Sequence, residues 1–437
     1  MKKKTVKIIG AGLAGTEAAY QVLKRGYSVE LFEMRPEKLT PAHKTGGFAE
    51  LVCSNSLKSD DPETAHGLLK RELATLDSLL LRCAYSCRIP AGAALAVNRG
   101  DFSHEVENAL SGQKNLKVIR AEVGGIDTDA DALIVATGPL TGGAFAESLA
   151  KLIGGEFLYF FDAAAPIVSA ESVDTERAFF ASRYDKGDAS DYLNCPMSKE
   201  EYLRFYTALR TAECAPVKGF ERDEVFSGCM PIEVMAGHGE DTVRFGPLKP
   251  VGLTDKDGSR PYAVVQLRKE NADGTMYNLV GFQTHLLFGE QKRVFSMIPA
   301  LKNAEFLRYG VMHRNSFLCA PKLLSQSFAL KETGKEHIFI AGQLSGVEGY
   351  VESIASGLMA GINAVNFLEQ KPPLILPDTT VIGALTKYIA ESPTKNFQPM
   401  NGNFGLLAPI DIKDKRKRKE EYMKRSDEEL MKLKIES

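Results

Sequence analysis

Two sets of residues in this chain have the types and spacing to do chemistry. The first is Gly10-Ala11-Gly12-Leu13-Ala14-Gly15, with Glu33 downstream. Glycines in GxGxxG spacing, directly after an apolar run and opening a helical pattern, are the backbone form of a dinucleotide site. Gly10 permits the tight turn, Gly12 lets the backbone approach a pyrophosphate, and Gly15 allows helix and strand to pack closely. The free N–H groups and positive dipole end of the helix then face the phosphates. Glu33 closes the next strand, placed for its carboxylate to accept hydrogen bonds from the adenosine ribose hydroxyls. The second set is the thiols. The seven cysteines (53, 83, 87, 195, 214, 229 and 319) are odd in number, scattered and without CxxC spacing. That pattern predicts neither a disulfide framework nor a zinc site, and no metal is expected. In a reducing compartment such thiols can act as nucleophiles. Cys53 lies in a polar stretch, and Cys229 follows Gly228 and precedes Pro231, which predicts a shaped turn. Packing in a core is the commoner fate of a lone cysteine, and residue type alone does not separate these two from the other five.

The elements that must position these groups follow from periodicity. Residues 6–9 read as a strand, 16–24 as a helix and 28–32 as a strand, which together make half of a mononucleotide-binding unit. A long polar region, 36–61, precedes a helical segment over 62–83, and a loop of that length in a compact domain is usually functional. Residues 132–136 read as a buried strand ending in Thr137-Gly138-Pro139. From about 152 to 324 the pattern changes. Strand-like runs at 179–184, 243–245, 262–267 and 276–281 mix with a helical one at 198–212, as in an α+β insertion. Residues 338–341 then return as a strand, followed by Gly342, Gly346, Gly349 and a helix over 350–367. A small helix over 379–389 and a charged helical tail, with a basic cluster at 413–419, complete the chain. The expected fold is α/β, a discontinuous Rossmann-like domain formed by residues 1–151 and 325–437, interrupted by an insertion domain of residues 152–324.

Composition bounds the rest. A length of 437 residues exceeds the roughly 150 of one typical domain and suits two or three folding units. The chain has 54 basic and 56 acidic residues, so bulk charge gives no push towards a polyanion. Any nucleic-acid contact must come from local patches. Trp is absent, while 14 Tyr and 23 Phe remain available to stack bases. No uninterrupted apolar stretch reaches the roughly 18–20 residues of a membrane span, and the basic start Met1-Lys2-Lys3-Lys4 runs straight into the glycine motif rather than into a signal-peptide core. A cytoplasmic protein is expected, with no membrane partner.

The returning strand before Gly342 resembles the distal FAD motif of two-dinucleotide-fold flavoproteins, and Ala136-Thr137-Gly138 resembles the strand-to-glycine signature that precedes their crossover. FAD is therefore the expected cofactor rather than a resident NAD; no second GxGxxG is present. Longer motifs extend the likeness: Glu33-Met34-Arg35-Pro36, CSNSLKS from Cys53, ATGPLT from Ala136, Asn194-Cys195-Pro196, GCMPIEVMA from Gly228, RFGPLKPVGL from Arg244 and AGQLSGVEGYVES from Ala341. Across nearly its whole length the chain resembles the folate- and FAD-dependent tRNA (uracil-5-)-methyltransferases, the TrmFO family, whose fold is that of the glucose-inhibited-division-protein-A flavoproteins. The larger flavoenzymes that modify the tRNA wobble uridine share the FAD motifs but carry a further helical domain.

The resemblance implies methylation of C5 of a T-loop uridine in tRNA. Methylenetetrahydrofolate gives the carbon, reduced FAD the hydride, and NADH or NADPH the electrons for FAD. It implies Cys229 as the nucleophile at uracil C6 and Cys53 as a flavin-side residue or the base at C5, the division of labour staying open. Cys195 would be structural. It also implies cofactor contacts at Gly10 to Gly15, Glu33, Arg35, Thr137, Gly138, Gly342, Gly349 and Tyr350. Arg244, Lys249, Arg268, Lys292, Arg293 and the basic run 413–419 are candidate phosphate contacts or plain surface charge. His238 and His285 are candidates for proton transfer or folate, or structural residues. The same chemistry on ribosomal RNA, a small-molecule flavin oxidoreductase and a non-catalytic RNA-binding flavoprotein are the competing expectations.

Overall fold

The computed structural model describes residues 4–155, 158–183, 191–215, 230–271, 273–332, 334–395 and 397–436. Its first strand, β1 (Thr5–Ile9), is rich in β-branched residues that suit a pleated surface, and the glycine turn delivers it into α1 (Leu13–Lys24) and then β2 (Ser28–Glu33). These belong to a five-stranded parallel sheet ordered Ile338–Ile340, Ala132–Val135, β1, β2 and Leu116–Arg120. The strands Ala132–Val135 and Ile338–Ile340 are buried along their full length. That is why they read as short continuous apolar runs rather than as alternation.

The sheet is interrupted and resumed, as the chain reaches Ile338 only after a long excursion. It leaves along Leu158–Ala163 and returns along Met312–Phe317, and these two strands pair with each other antiparallel, Leu158 opposite Phe317 and Ala163 opposite Met312. Between them lies a six-stranded sheet ordered Phe179–Phe180, Tyr192–Met197, Ala263–Lys269, Met276–Leu279, Ile167–Ser169 and Phe306–Arg308. Two large apolar cores result. One draws on residues from Val6 to Ile153 and from Phe317 to Leu430, the other on residues from Ala165 to Ala304.

Several local expectations change. The run 62–83 is two helices, Ala65–Thr75 and Leu79–Ser86, because Asp77 takes a positive φ of 59° and Ser78 caps the second. Residues 243–245 form the end of a helix, Glu240–Phe245, not a strand. Two apolar residues flanking Arg244 are too few to carry a period, whereas Glu240 and Asp241 in the first turn suit a helix N-terminus and only Val243 is buried. Of 179–184 only Phe179–Phe180 pairs, and residue 184 lies outside the described residues. The loop 36–61 contains one short strand, Ser56–Ser59, paired with Ala94–Val97.

The helix Tyr350–Leu368 is long and apolar enough by composition to cross a membrane, contrary to the reading of the sequence by uninterrupted runs. Nearly all of it is buried inside the protein, where it packs along α1. Their approach is backbone to backbone. A Cβ on Gly357 would lie 2.2 Å from the Ala14 carbonyl oxygen, and one on Gly361 would lie 2.8 Å from that of Ala18. Gly357→Ala is therefore expected to push the two helices apart and cost about 1–3 kcal/mol. A calorimetric melt checks this against Gly112→Ala, whose new Cβ would meet nothing within 4 Å. Equal melting temperatures for the two variants would contradict the close approach.

Candidate active site

The N-terminal turn separates its glycines by task. Gly10, at φ 102°, and Gly15 are closed by packing, since added Cβ atoms would meet the Ala136 carbonyl oxygen at 2.5 Å and the Gly10 carbonyl oxygen at 1.8 Å. Gly12, the N-cap of α1, has nothing within 4 Å of where a Cβ would be, and neither has Gly138. The open side of Gly12 at the start of a helix is the cradle that a pyrophosphate needs, so the turn fits FAD. Leu13 and Ala14 open α1, and Gly342 at φ 75° brings the returning strand's loop to within 3.3 Å of the Ala14 Cβ.

Glu33 sits buried at the end of β2. Its oxygens accept from the Ala11 N–H at 2.8 Å, the Arg35 N–H at 3.0 Å, and the Arg35 side chain at 2.8 and 3.1 Å. Burial opposes its charged form, but these bonds from Arg35 and Ala11 outweigh burial and hold the carboxyl below its ordinary value. Arg35, itself buried, also reaches Glu50 at 3.0 Å. In this arrangement Arg35 fixes the carboxylate, and a ribose hydroxyl would share an acceptor already engaged.

Cys53 stands in a clamped loop. The Tyr350 hydroxyl accepts from the backbone N–H of Cys53 at 2.8 Å and of Ser54 at 3.1 Å. Arg99 donates to the Leu51 carbonyl at 2.7 Å, Arg308 to that of Val52 at 2.5 Å, and Arg268 to the Ser54 hydroxyl at 2.9 Å. Asn55 donates to the Lys269 and Glu270 carbonyls, and Glu270 pairs with Arg99. Three guanidinium groups thus make the surroundings of this loop electropositive. Arg268, read from the sequence as either a phosphate contact or plain surface charge, is instead buried inside the clamp.

The loop forms one wall of a cavity of about 260 Å³. Cys53 and Lys58 line it from the clamped loop, Pro139 and Leu140 from the segment after Thr137-Gly138, and Gly349 and Tyr350 from the segment after Gly342. Thr137 faces Thr141, hydroxyl to hydroxyl at 2.6 Å. Beneath the cavity, Glu352 is fully buried and accepts from Lys58 at 3.2 Å and the Gly402 N–H at 3.1 Å, with His66 at 3.5 Å. Gly349, at φ 121°, has no room for a side chain there, as a Cβ would lie 2.1 Å from the Glu352 carboxylate.

Cys229 lies outside the described residues. Just beyond it, Glu233 accepts from the Thr284 hydroxyl at 2.7 Å and the His285 N–H at 2.8 Å, and pairs with the His285 ring at 2.5 Å. Burial lowers the pKa of His285, but bonds to Cys214 and Glu233 outweigh it and raise the ring to about 9. Cys214, Glu233 and His285 bring ligand-type atoms within 4.8 Å of one another. The contact between Glu233 and the His285 ring ties the segment just beyond Cys229 to the loop at 284–285. His238 caps a helix at the surface, and Cys195 is wholly buried in a strand with burial pushing its thiol well up. Arg244 lies 3.8 Å from the centre of the Tyr262 ring.

The family of Glucose inhibited division protein A matches residues 5–372. A methylenetetrahydrofolate--tRNA-(uracil-5-)-methyltransferase TrmFO from Desulfitobacterium hafniense is 57% identical over 98% of this chain and 97% of its own length. Another, from Acetivibrio thermocellus, is 54% identical over 96% of each chain. The chain belongs to the TrmFO family. The crystal structure of Aquifex aeolicus GidA superposes over 99% of this chain and 74% of that one with a TM-score of 0.68 at 16% identity, which establishes a shared flavoprotein fold.

Set against the TrmFO resemblance, the structure brings Cys53, Gly349 and Tyr350 to one cavity and the residues from Gly10 to Gly15, with Glu33, to the neighbouring turn. Arg99, Arg308, Lys58 and Glu352 were missed. The only sequence signal for Lys58 and Glu352 was their place inside TrmFO motifs. Although burial opposes its charge, Glu352 is brought down to about 2 by Lys58 and His66. A depressed carboxyl stabilises the fold above its ordinary pKa near 4.5 and loses that contribution as pH falls towards 2. Lys58 is one-third exposed, so screening limits the contribution to at most about 3 kcal/mol. Urea unfolding should show Glu352→Gln less stable than the parent at pH 7, with the gap narrowing steadily from pH 4.5 to pH 3. A gap independent of pH would contradict the assignment.

Proposed function

We infer that this chain methylates C5 of the T-loop uridine of tRNA, with methylenetetrahydrofolate as carbon donor and NAD(P)H as reductant of the flavin. Family membership carries the reaction class. The observation that carries the site is the position of Cys53, in the wall of a cavity whose other walls are the two glycine-rich segments of the FAD fold. FAD, when bound, supplies the hydride that converts the C5 methylene to a methyl group. The open face of Gly12 and the N-terminus of α1 would take its pyrophosphate, and Gly138, Gly342, Gly349 and Tyr350 its redox end. With the domain division at 152 and 324, the reading assigns the cofactor to the discontinuous frame and looks for RNA contacts on the insertion and around the flavin cleft.

The chain's own groups must make C5 nucleophilic and then remove its proton. Cys229 adds as thiolate to C6 of uracil, moving the electron pair of the C5–C6 double bond towards C4–O and making C5 an enolate carbon. C5 bonds to the one-carbon unit. Cys53 accepts the C5 proton, and the electron pair left behind forms the exocyclic C5 methylene as the carbon–nitrogen bond to tetrahydrofolate breaks. Once hydride has been added to that methylene, the resulting enolate re-forms the C5–C6 double bond and expels the Cys229 sulfur as thiolate. Tyr350 and the arginine clamp fix the backbone of Cys53, so that its sulfur meets C5 without a loop rearrangement. The sequence needs no metal, and soluble substrates suit a cytoplasmic enzyme.

Purified protein given FAD, NAD(P)H, methylenetetrahydrofolate and unmodified tRNA should form 5-methyluridine, detected by nucleoside mass spectrometry. Cys229→Ala should form none above background, and Cys53→Ala should be slowed by roughly 10²–10⁴-fold. Product from ribosomal RNA but not tRNA would move the substrate, and full activity of Cys229→Ala would sink the mechanism.

A further inference from the structure

One feature of the insertion is not used by this chemistry. Phe306, Tyr309 and Phe288 stack in a ladder. Phe306 and Tyr309 have centroids 5.4 Å apart at an interplanar angle of 7°, and Tyr309 and Phe288 are 4.8 Å apart at 14°. At its inner end the ladder is anchored, since Phe306 contacts Phe295, which packs edge-on against Phe282, and both of these are fully buried. At its outer end Phe288 is 55% exposed, with its chain neighbour Leu287 also exposed. Scattered exposed apolar residues are ordinary, but a parallel stack rooted in the core and ending in a bare ring is a surface built to receive one more ring.

Position and charge say which ring. Arg308 and Tyr309 are consecutive, and while Tyr309 joins the ladder, Arg308 donates to Val52 beside Cys53. Gly310 then packs on Ala164, which lines the cavity. The ladder therefore shares its segment with a cavity wall. Lys292 lies one turn after Phe288 on the same helix, Phe288–Phe295, exposed and without an ion pair among the described residues, whereas neighbouring Arg293 is tied to Glu290 at 2.6 Å. A flat, open ring with a free cation suits an unstacked base whose phosphate is met nearby. A small co-substrate such as a pteridine needs an enclosing pocket instead.

We propose that Phe288 is a base-stacking platform for the RNA substrate, holding an unpaired base next to the target uridine at the mouth of the Cys53 cavity while Lys292 meets its phosphate. This rests on the RNA-methylating reading above. Stacking on the outermost ring adds a fourth member to an existing stack, so little order has to be created on binding. The ladder also lets the insertion hold RNA with a chain whose overall charge is near neutral, because stacking does not depend on net charge.

The test uses the FAD-loaded protein and unmodified tRNA transcripts. Phe288→Ala should weaken tRNA binding, and raise KM for tRNA more than it lowers kcat, by roughly 5- to 100-fold. Lys292→Ala should reduce the slope of log affinity against log salt by about one. The chain contains no Trp, so Phe288→Trp installs a single reporter on the ladder. It should retain affinity, and its emission should be quenched on titration with tRNA. The platform is overturned if Phe288→Ala binds tRNA within twofold of the parent. It is equally overturned if the Phe288→Trp emission is unmoved by saturating tRNA, or is quenched by methylenetetrahydrofolate without RNA. Binding and quenching are read without turnover. Quenching by tRNA in a protein that forms no 5-methyluridine would retain the platform and reject the activity, whereas turnover with an indifferent Phe288→Ala would do the reverse.

Discussion

The contact on which the site depends is that between α1 and the helix Tyr350–Leu368. Only glycine at 357 and 361 lets one helix lie on the carbonyl groups of the other, and only glycine at 15 lets α1 lie on its own turn. This close approach joins two parts of the chain separated by the whole insertion. It seats Ile338–Ile340 beside Ala132–Val135, carries the loop at Gly342 onto Ala14, and delivers the Tyr350 hydroxyl to the backbone of Cys53. A gap of one methyl group there would shift the cavity wall relative to the phosphate cradle, because close-packed interiors transmit such displacements rather than absorb them.

A second principle is that the reactive loop is held through its backbone. Arg99 comes from the frame and Arg268 and Arg308 from the insertion, and all three converge on residues 51–54. Hydrogen bonds from charged donors are the strong ones, and burying cations is costly unless each finds partners. Here carbonyls, a hydroxyl and Glu270 fill that need. The loop that carries Cys53 is thereby tied to both cores at once.

Much of this was legible from the sequence, for stated reasons. The turn from Gly10 to Gly15 is local, so spacing sufficed, and the strands at 132 and 338 were apolar because both faces are covered. Residues 243–245 were too short to carry a period. Arg268 looked like surface charge because strand alternation does not reveal that a neighbouring loop covers one face. The clamp and the ladder are assembled from residues far apart in sequence: Arg99 with Arg308, and Phe288 with Phe306 and Tyr309. No local pattern encodes such meetings. Gly357 and Gly361 stood in an apparently ordinary apolar helix, where only the partner helix explains them.

The paired strands Leu158–Ala163 and Met312–Phe317 make the insertion a closed excursion, leaving and re-entering the frame at neighbouring points in fixed register. Topologically it is a cassette. Lineages can lengthen, shorten or resurface what lies between those strands without disturbing the register of the parallel sheet, provided the replacement still offers bonds to residues 51–55. Substrate choice can then diverge while the cofactor frame stays unchanged, and the ribbon marks where hybrid proteins should be joined.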